Sequence, residues 1–177
     1  MKKLLLTFAA VLLVSFFASA QKKYSVYAVG FYNQENLFDT CHDEGKKDYD
    51  FLPNGSYHWD GLKYSHKLHN MARALADMGT DVLPNVGCAM IGLAEVENAK
   101  VLTDLVNQPA LKARNMQYVH IEGPDKRGID CAMLYNPSLF KLESDTLYQY
   151  VQELEKDSAF KTRGFLTIHG RLAGIDI

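Results

Sequence analysis

The sequence has almost no excess charge of either sign. Its 177 residues carry 19 basic and 21 acidic side chains, a formal net charge of −2. This balance excludes a polybasic field that could hold nucleic acid or anionic lipid by counterion release alone. Any recognition of phosphate must therefore be local. The sequence is otherwise that of an ordinary globular protein, with 47% apolar residues, which excludes a disordered or collagen-like chain.

Cysteine is also scarce, with Cys41, Cys88 and Cys131 as its three occurrences. Their spacing does not match a metal-binding pattern. Three cysteines cannot all pair, and Cys88 and Cys131 lie in apolar runs that are typical of buried strands. A chain of this size has enough core to fold without a disulfide. We therefore expect small buried side chains rather than a disulfide framework.

Only one long apolar run occurs, and it lies at the start of the chain. Two lysines precede the apolar residues 4–17, and an Ala-Ser-Ala sequence follows at 18–20. The run is shorter than the roughly 20 apolar residues that a membrane-spanning helix needs. Residues 1–20 are therefore predicted to be a secretory signal peptide, cleaved before Gln21. We expect an exported protein, periplasmic or extracellular, with no insertion in the membrane.

The remaining residues, 21–177, are predicted to form α/β structure. Strands dominate, and two helices lie between them, beginning at the capping residues Asp60 and Asn98. Residues 39–58 mix charges with glycine and proline and are predicted to be a long loop. The predicted strands are 24–32, 88–94, 116–121, 129–135, 147–151 and 164–172, with a turn and a further short strand at the end. This order favours a mixed sheet with helices.

Polar side chains occur in three short segments that end or begin predicted strands. The segments are FYNQENLFD at 31–39, GLAEVEN at 92–98 and RGIDCAMLY at 127–135. They supply an amide, three carboxylates and a guanidinium: Asn33, Glu35, Glu95, Asp130 and Arg127. Such a set suits a hard divalent cation and a phosphoryl oxygen. Magnesium usually takes only one or two carboxylates, and water and substrate oxygens complete its coordination.

As a set, the three segments resemble the deoxyribonuclease-I-like endonuclease/exonuclease/phosphatase superfamily. They are most similar to its secreted bacterial branch, whose members read YNVENLFD, GLAEVEN and RGIDVALLY. The resemblance runs from Val26 to about Tyr135. It implies half of a four-layer α/β sandwich, with a mixed, mainly antiparallel sheet and helices on one face. It also implies metal-assisted hydrolysis of a phosphate ester, such as nucleic acid, with Mg²⁺ as the ion and Mn²⁺ or Ca²⁺ as alternatives.

The resemblance also implies a role for each matching residue. Glu95 would be the principal metal-binding carboxylate, with Asn33 as the strand-end amide that orients the metal or phosphate. Glu35 would lie beside Glu95 as a second acid at the metal site. Arg127 would grip a phosphate oxygen, and Asp130 would join it in the catalytic group because it matches the pattern of the branch.

The chain departs from the family after Tyr135. The family supplies its general base and acid there, in an Asn-His sequence, an Asp-x-Asn pair and an Asp-His pair, and these do not occur here. We therefore expect residues 21–177 to be the truncated N-terminal part of the domain, which binds metal weakly without turnover. Two alternatives stay open: a secreted, non-catalytic binding module that uses the 39–58 loop for its partner, and a fragment without a stable fold.

Each candidate residue also has an ordinary structural interpretation. Asn33 could cap a turn, and Glu95 could be a solvated carboxylate at a strand end. Asp130 could form a surface ion pair with Arg127 that is worth little energy. The acidic residues between 39 and 50, together with Glu35, are expected to be solvated loop charges. Only the joint occurrence of the three segments favours a metal site.

Overall fold

A computed structural model describes residues 25–149 and 162–177. The predicted signal peptide and the end of the predicted strand 147–151 lie outside the described residues. Among the described residues, no helix has the length and apolar character that crossing a membrane requires. The elements are β1 Ala28–Leu37, a 3₁₀ helix Tyr49–Phe51, α1 Gly61–Asp77, β2 Cys88–Val96, α2 Ala99–Val106, α3 Pro109–Lys112, β3 Gln117–His120, β4 Asp130–Tyr135, β5 Phe140–Tyr148, β6 Phe165–Leu172 and β7 Ile175–Asp176.

The strands form two sheets. The first has the order β1-β2-β4-β3, with β1 and β2 parallel and the other two pairs antiparallel. The second is antiparallel, with the order β5-β6-β7. The predicted α/β class with a mixed sheet is therefore confirmed. The parallel pair matters for function because it places the carboxyl ends of β1 and β2 at the same edge.

The helices cover one face of the first sheet, as predicted. Their apolar side chains pack against β2 and β4 in one buried cluster, with Leu75 from α1, Leu102 and Leu105 from α2, and Ile91 and Leu134 from the strands. Each of these five side chains is at most 1% exposed. Burial of this size stabilises the fold by roughly 1.5–3 kcal/mol per large apolar side chain.

The opposite face of the first sheet packs against the second sheet. Met90, Val119 and Met133 contact Phe140 of β5 in a second buried cluster. The sequence pattern predicts a single sheet, with a strand in this region only at 147–151. Most of β5 was missed because residues 141–146 are polar or charged apart from Leu142, and most of them are exposed. A strand with a solvated face lacks the apolar run that makes a buried strand visible.

The predicted capping residues begin the two main helices in the structure. The Asp60 side chain accepts a hydrogen bond from Lys63 N at 2.9 Å, and the Asn98 side chain accepts one from Val101 N at 3.1 Å. Both contacts satisfy amides that have no partner within the helix. Pro109 ends the second predicted helix and begins α3, because proline needs no amide partner in a first turn.

Candidate metal centre

The structure brings Asn33 and Glu95 to the same edge of the first sheet. Asn33 pairs with Ala94 across the parallel strands β1 and β2, and Glu95 is the next residue of β2. By strand alternation Asn33 shares a face with Phe31, which lines the cleft between the two sheets. Glu95 reaches Arg163, which precedes β6 of the second sheet, with 3.7 Å between Oε1 and a guanidinium nitrogen. Asn33 and Glu95, two of the three predicted ligands, therefore lie on the side of the second sheet.

Glu95 occupies a bulge in β2. Its φ is +62°, and the pairing of β2 with β4 shifts register between Ala94 and Val96. Non-glycine residues seldom adopt this left-handed conformation, which costs on the order of 1–3 kcal/mol. A bulge leaves its extra residue unpaired in the ladder and redirects its side chain. The bulge explains how a carboxylate leaves a strand whose other side chains are nearly all buried.

A second irregularity lies opposite, near the end of β1. Glu35 and Asn36 have φ values of +50° and +61°, and the β1–β2 register shifts between Asn33 and Leu37. The Asn33 side chain accepts a hydrogen bond from Glu35 N at 2.7 Å. Lys67 of α1 donates from Nζ to the Glu35 carbonyl at 2.5 Å and to the Asn36 carbonyl at 3.2 Å. Helix α1 therefore holds this turn in place.

Two cations lie near this edge of the sheet. Arg163 forms the ion pair described above. Burial lowers the pKa of Lys67, and the negative charges of Glu35 and Glu95 oppose that effect, so the Lys67 ammonium lies within electrostatic reach of both acids. The two positive charges would attract a phosphate group.

The residues at this edge fit a magnesium ion by their chemistry. The Asn33 amide oxygen and the Glu95 carboxylate are hard oxygen ligands, and Glu35 adds a further exposed carboxylate on β1. Magnesium needs only one or two carboxylates from a protein. The hydrogen bond from Glu35 N uses one lone pair of the Asn33 oxygen and leaves the other available.

Arg127 and Asp130 are held by other partners. Asp130 is buried in β4, where one carboxylate oxygen accepts from Gly123 N at 3.1 Å and bonds His120 Nε2 at 3.2 Å. The half-exposed Arg127 lies 3.6 Å from Asp125 Oδ1. The suggested surface pair between Arg127 and Asp130 is therefore wrong. It fails because pairing of β3 with β4 brings His120, rather than the arginine, to Asp130.

Asp130 also lies on the face of the first sheet opposite to Glu95. Cys131 lines the cleft between the sheets, so its neighbour Asp130 points to the helix face by strand alternation. Ala132, on the same face as Asp130, belongs to the cluster that the helices cover. The catalytic roles implied for Arg127 and Asp130 stay predictions, and the structure does not group Asp130 with Glu95.

A second acidic group, which the sequence analysis missed, surrounds Glu97. This side chain is 1% exposed, and its Oε2 accepts from Asp39 N at 2.7 Å. Burial raises the pKa of Glu97 to about 8; the charges of Asp39, Asp43 and Asp48 add to the rise, and the Asp39 amide opposes it. The prediction that the acidic loop residues are solvated is wrong for Asp39 and Asp48, which are buried.

The residues that sequence reasoning missed have partners far along the chain. Lys67, Arg163 and His120 all lie outside the three segments. No local sequence pattern indicates that they belong to a site. The sequence gives a weak indication for Glu97, because it follows Glu95 by two residues, directly after the apolar strand β2. Only the folded chain shows that one of these glutamates is buried and the other redirected.

Comparison with known proteins identifies a protein family. A family model described as the Endonuclease/Exonuclease/phosphatase family matches residues 28–177. None of the curated proteins that were compared matches the chain. The matched range contains every described strand and helix and all five residues predicted for the site. A phosphodiesterase-type function is the general activity that this match supports.

Proposed function

Because the chain belongs to the endonuclease/exonuclease/phosphatase family, we propose that it carries the metal-binding part of a metal-dependent phosphodiester hydrolase. One observation carries the proposal. Glu95 lies on a bulge of β2 next to Asn33 of the paired parallel strand, Arg163 forms an ion pair with it, and Lys67 holds the adjoining turn of β1. A metal ligand and cations for an anionic substrate therefore share one edge of the sheet.

Each residue at this edge has a distinct role in the proposal. Asn33 and Glu95 would hold Mg²⁺, with Glu35 as the neighbouring acid. The bound ion would polarise a phosphoryl oxygen and stabilise the leaving oxygen. Arg163 would donate its guanidinium N–H groups to a phosphate oxygen, and Lys67 would keep the turn at Glu35 and Asn36 in place. Mn²⁺ and Ca²⁺ accept the same oxygen ligands.

The proposal includes binding without sustained turnover and export from the cytoplasm. The sequence after Tyr135 contains none of the Asn-His, Asp-x-Asn or Asp-His pairs that the resemblance leads us to expect as general base and acid. Metal and phosphate would bind, but no group identified at this edge would activate water. The composition of residues 1–20 supports export.

Thermal unfolding of the purified chain with added Mg²⁺ tests the metal site. An ion at ten times its Kd stabilises the folded state by about 1.4 kcal/mol through mass action, and we expect a matching rise in melting temperature. Glu95→Gln should abolish the rise, and Asn33→Ala should reduce it. Glu44→Gln, which removes an exposed acid from the 39–58 loop, should leave it intact. A rise of equal size in all four proteins would refute the site.

Cleavage of plasmid DNA tests the absence of turnover separately. We expect no sustained nicking by the chain in Mg²⁺. Nicking that continues over many turnovers and is lost in Glu95→Gln would disprove this part of the proposal, although it would support the assignment of Glu95.

One observation favours the second candidate, a non-catalytic binding module. Tyr49 and Tyr57 of the 39–58 loop are 60% and 57% exposed, above an aromatic group in which Phe51 stacks on Phe38 with ring centroids 4.1 Å apart. Exposed tyrosines on an ordered loop suit contact with a partner. This function predicts binding that survives Glu95→Gln and is lost when both tyrosines are replaced by serine.

A further inference from the structure

A separate group of metal-ligating side chains lies where β3, β4 and their connection meet. His120 ends β3, Asp130 begins β4, and Glu122 lies in the connection. One nitrogen or oxygen atom from each of these residues lies within 4.8 Å of the others. The first two belong to the helix face of the sheet, so this group is distinct from the edge that holds Asn33 and Glu95.

The two inner ligands are fixed before any ion binds. The side chains of His120 and Asp130 are 5% and 4% exposed, with 3.2 Å between Nε2 and Oδ2. Antiparallel pairing of His120 with Ala132 sets the distance between His120 and Asp130. The Gly123 amide donates to the same Asp130 oxygen at 3.1 Å. Such supporting hydrogen bonds orient a ligand and raise its affinity for metal.

The third ligand already binds a cation. Lys46 Nζ lies 2.8 Å from Glu122 Oε1 and donates to the carbonyls of Gly123 at 3.2 Å and Asp125 at 3.4 Å. Three oxygen atoms therefore surround one ammonium beside the His120–Asp130 pair. The Glu122 side chain is 52% exposed, so it is free to exchange this ammonium for an ion without entering the core.

We propose that His120, Glu122 and Asp130 bind a divalent transition-metal ion, Zn²⁺, and that Lys46 competes with the ion for Glu122. One imidazole nitrogen with two carboxylate oxygens suits zinc better than magnesium. Three protein ligands leave a position open for water or substrate. Lys46 belongs to the 39–58 loop, and the backbone amide of its neighbour Lys47 donates to the Lys126 carbonyl at 2.7 Å. Ion binding would therefore also change the contacts between this loop and the connection from β3 to β4.

Titration calorimetry of the purified chain with Zn²⁺ tests the proposal. We expect one ion per chain, and His120→Gln should weaken binding at least about tenfold. Lys46→Gln should tighten binding about twofold to fivefold, because the ion no longer has to break a partly screened ion pair. His169→Gln, which removes an exposed histidine that pairs with Glu143, is the matched control and should change nothing.

A spectroscopic readout and a second variant keep the test independent of folding. Co²⁺ in place of Zn²⁺ should give visible absorption bands that disappear in His120→Gln. If that variant fails to fold, Glu122→Gln changes only an exposed side chain and should still weaken binding at least about tenfold. Unchanged binding in Glu122→Gln, or weaker binding in Lys46→Gln, would overturn the proposal.

The metal-site variants also distinguish this proposal from the proposed function. Zinc binding that survives Glu95→Gln and is lost in His120→Gln supports the second site, whatever magnesium does. Zinc binding that is lost in Glu95→Gln and kept in His120→Gln would overturn this proposal and leave the magnesium site standing.

Discussion

The protonation of Glu97 should make the stability of the protein fall as the pH rises towards 8. Burial raises the pKa of this carboxyl from 4.5 to about 8. The folded protein therefore holds a proton on Glu97 over a pH range in which the unfolded chain has lost it. A raised carboxyl pKa contributes stability that is fully present below about pH 4.5 and is lost as the pH rises through about 8.

The size of the effect follows from linkage. Within this window the folded state binds up to one more proton than the unfolded state, so the free energy of unfolding falls by up to about 1.4 kcal/mol per pH unit. Between pH 5.5 and pH 7.0 the loss from Glu97 alone is about 2 kcal/mol by the same relation. Glu97→Gln keeps the shape of the protonated side chain and an oxygen that accepts from Asp39 N, so it should not show this loss.

Urea unfolding at a series of pH values measures the difference. We expect the advantage in stability of Glu97→Gln over the wild type to grow by about 2 kcal/mol between pH 5.5 and pH 7.0. The control Glu44→Gln, which changes an exposed acid of the neighbouring loop, should follow the wild type. Parallel curves for wild type and Glu97→Gln would show that Glu97 is ionised in the folded state and would refute the reasoning.

Three further predictions concern stability and thiol access. Asp60→Ala should cost about 1 kcal/mol in urea unfolding by removing the helix cap, and Asp60→Asn should cost far less because asparagine caps equally well. Leu102→Ala, at a fully buried position, should cost about 2–5 kcal/mol in the same assay; a loss below 1 kcal/mol would contradict its burial. With a thiol reagent, Cys41, which is free and exposed, should react in the native protein, whereas buried Cys88 should react only on unfolding, and burial also raises its pKa. Equal rates for both thiols would argue against this packing.

Much of the fold could be predicted because its signals are local. The caps Asp60 and Asn98 and the apolar run of β2 act through neighbouring residues, and all three predictions agree with the structure. Most of β5 was not predicted because the polar side chains in its middle are exposed. The candidate residues Asn33 and Glu95 were visible because the three segments occur together in one order.

Local sequence patterns are enough to specify the class of the fold, the caps that begin the two main helices and the identity of the acidic and amide side chains at the strand ends. Tertiary structure decided which of those side chains meet. Strand alternation and the bulge at Glu95 placed this carboxylate with Arg163 and turned Asp130 to the other face, beside His120. The physical reason is that these contacts join residues 10 to 68 positions apart, and their energies depend on burial and charge that exist only once the sheets have formed.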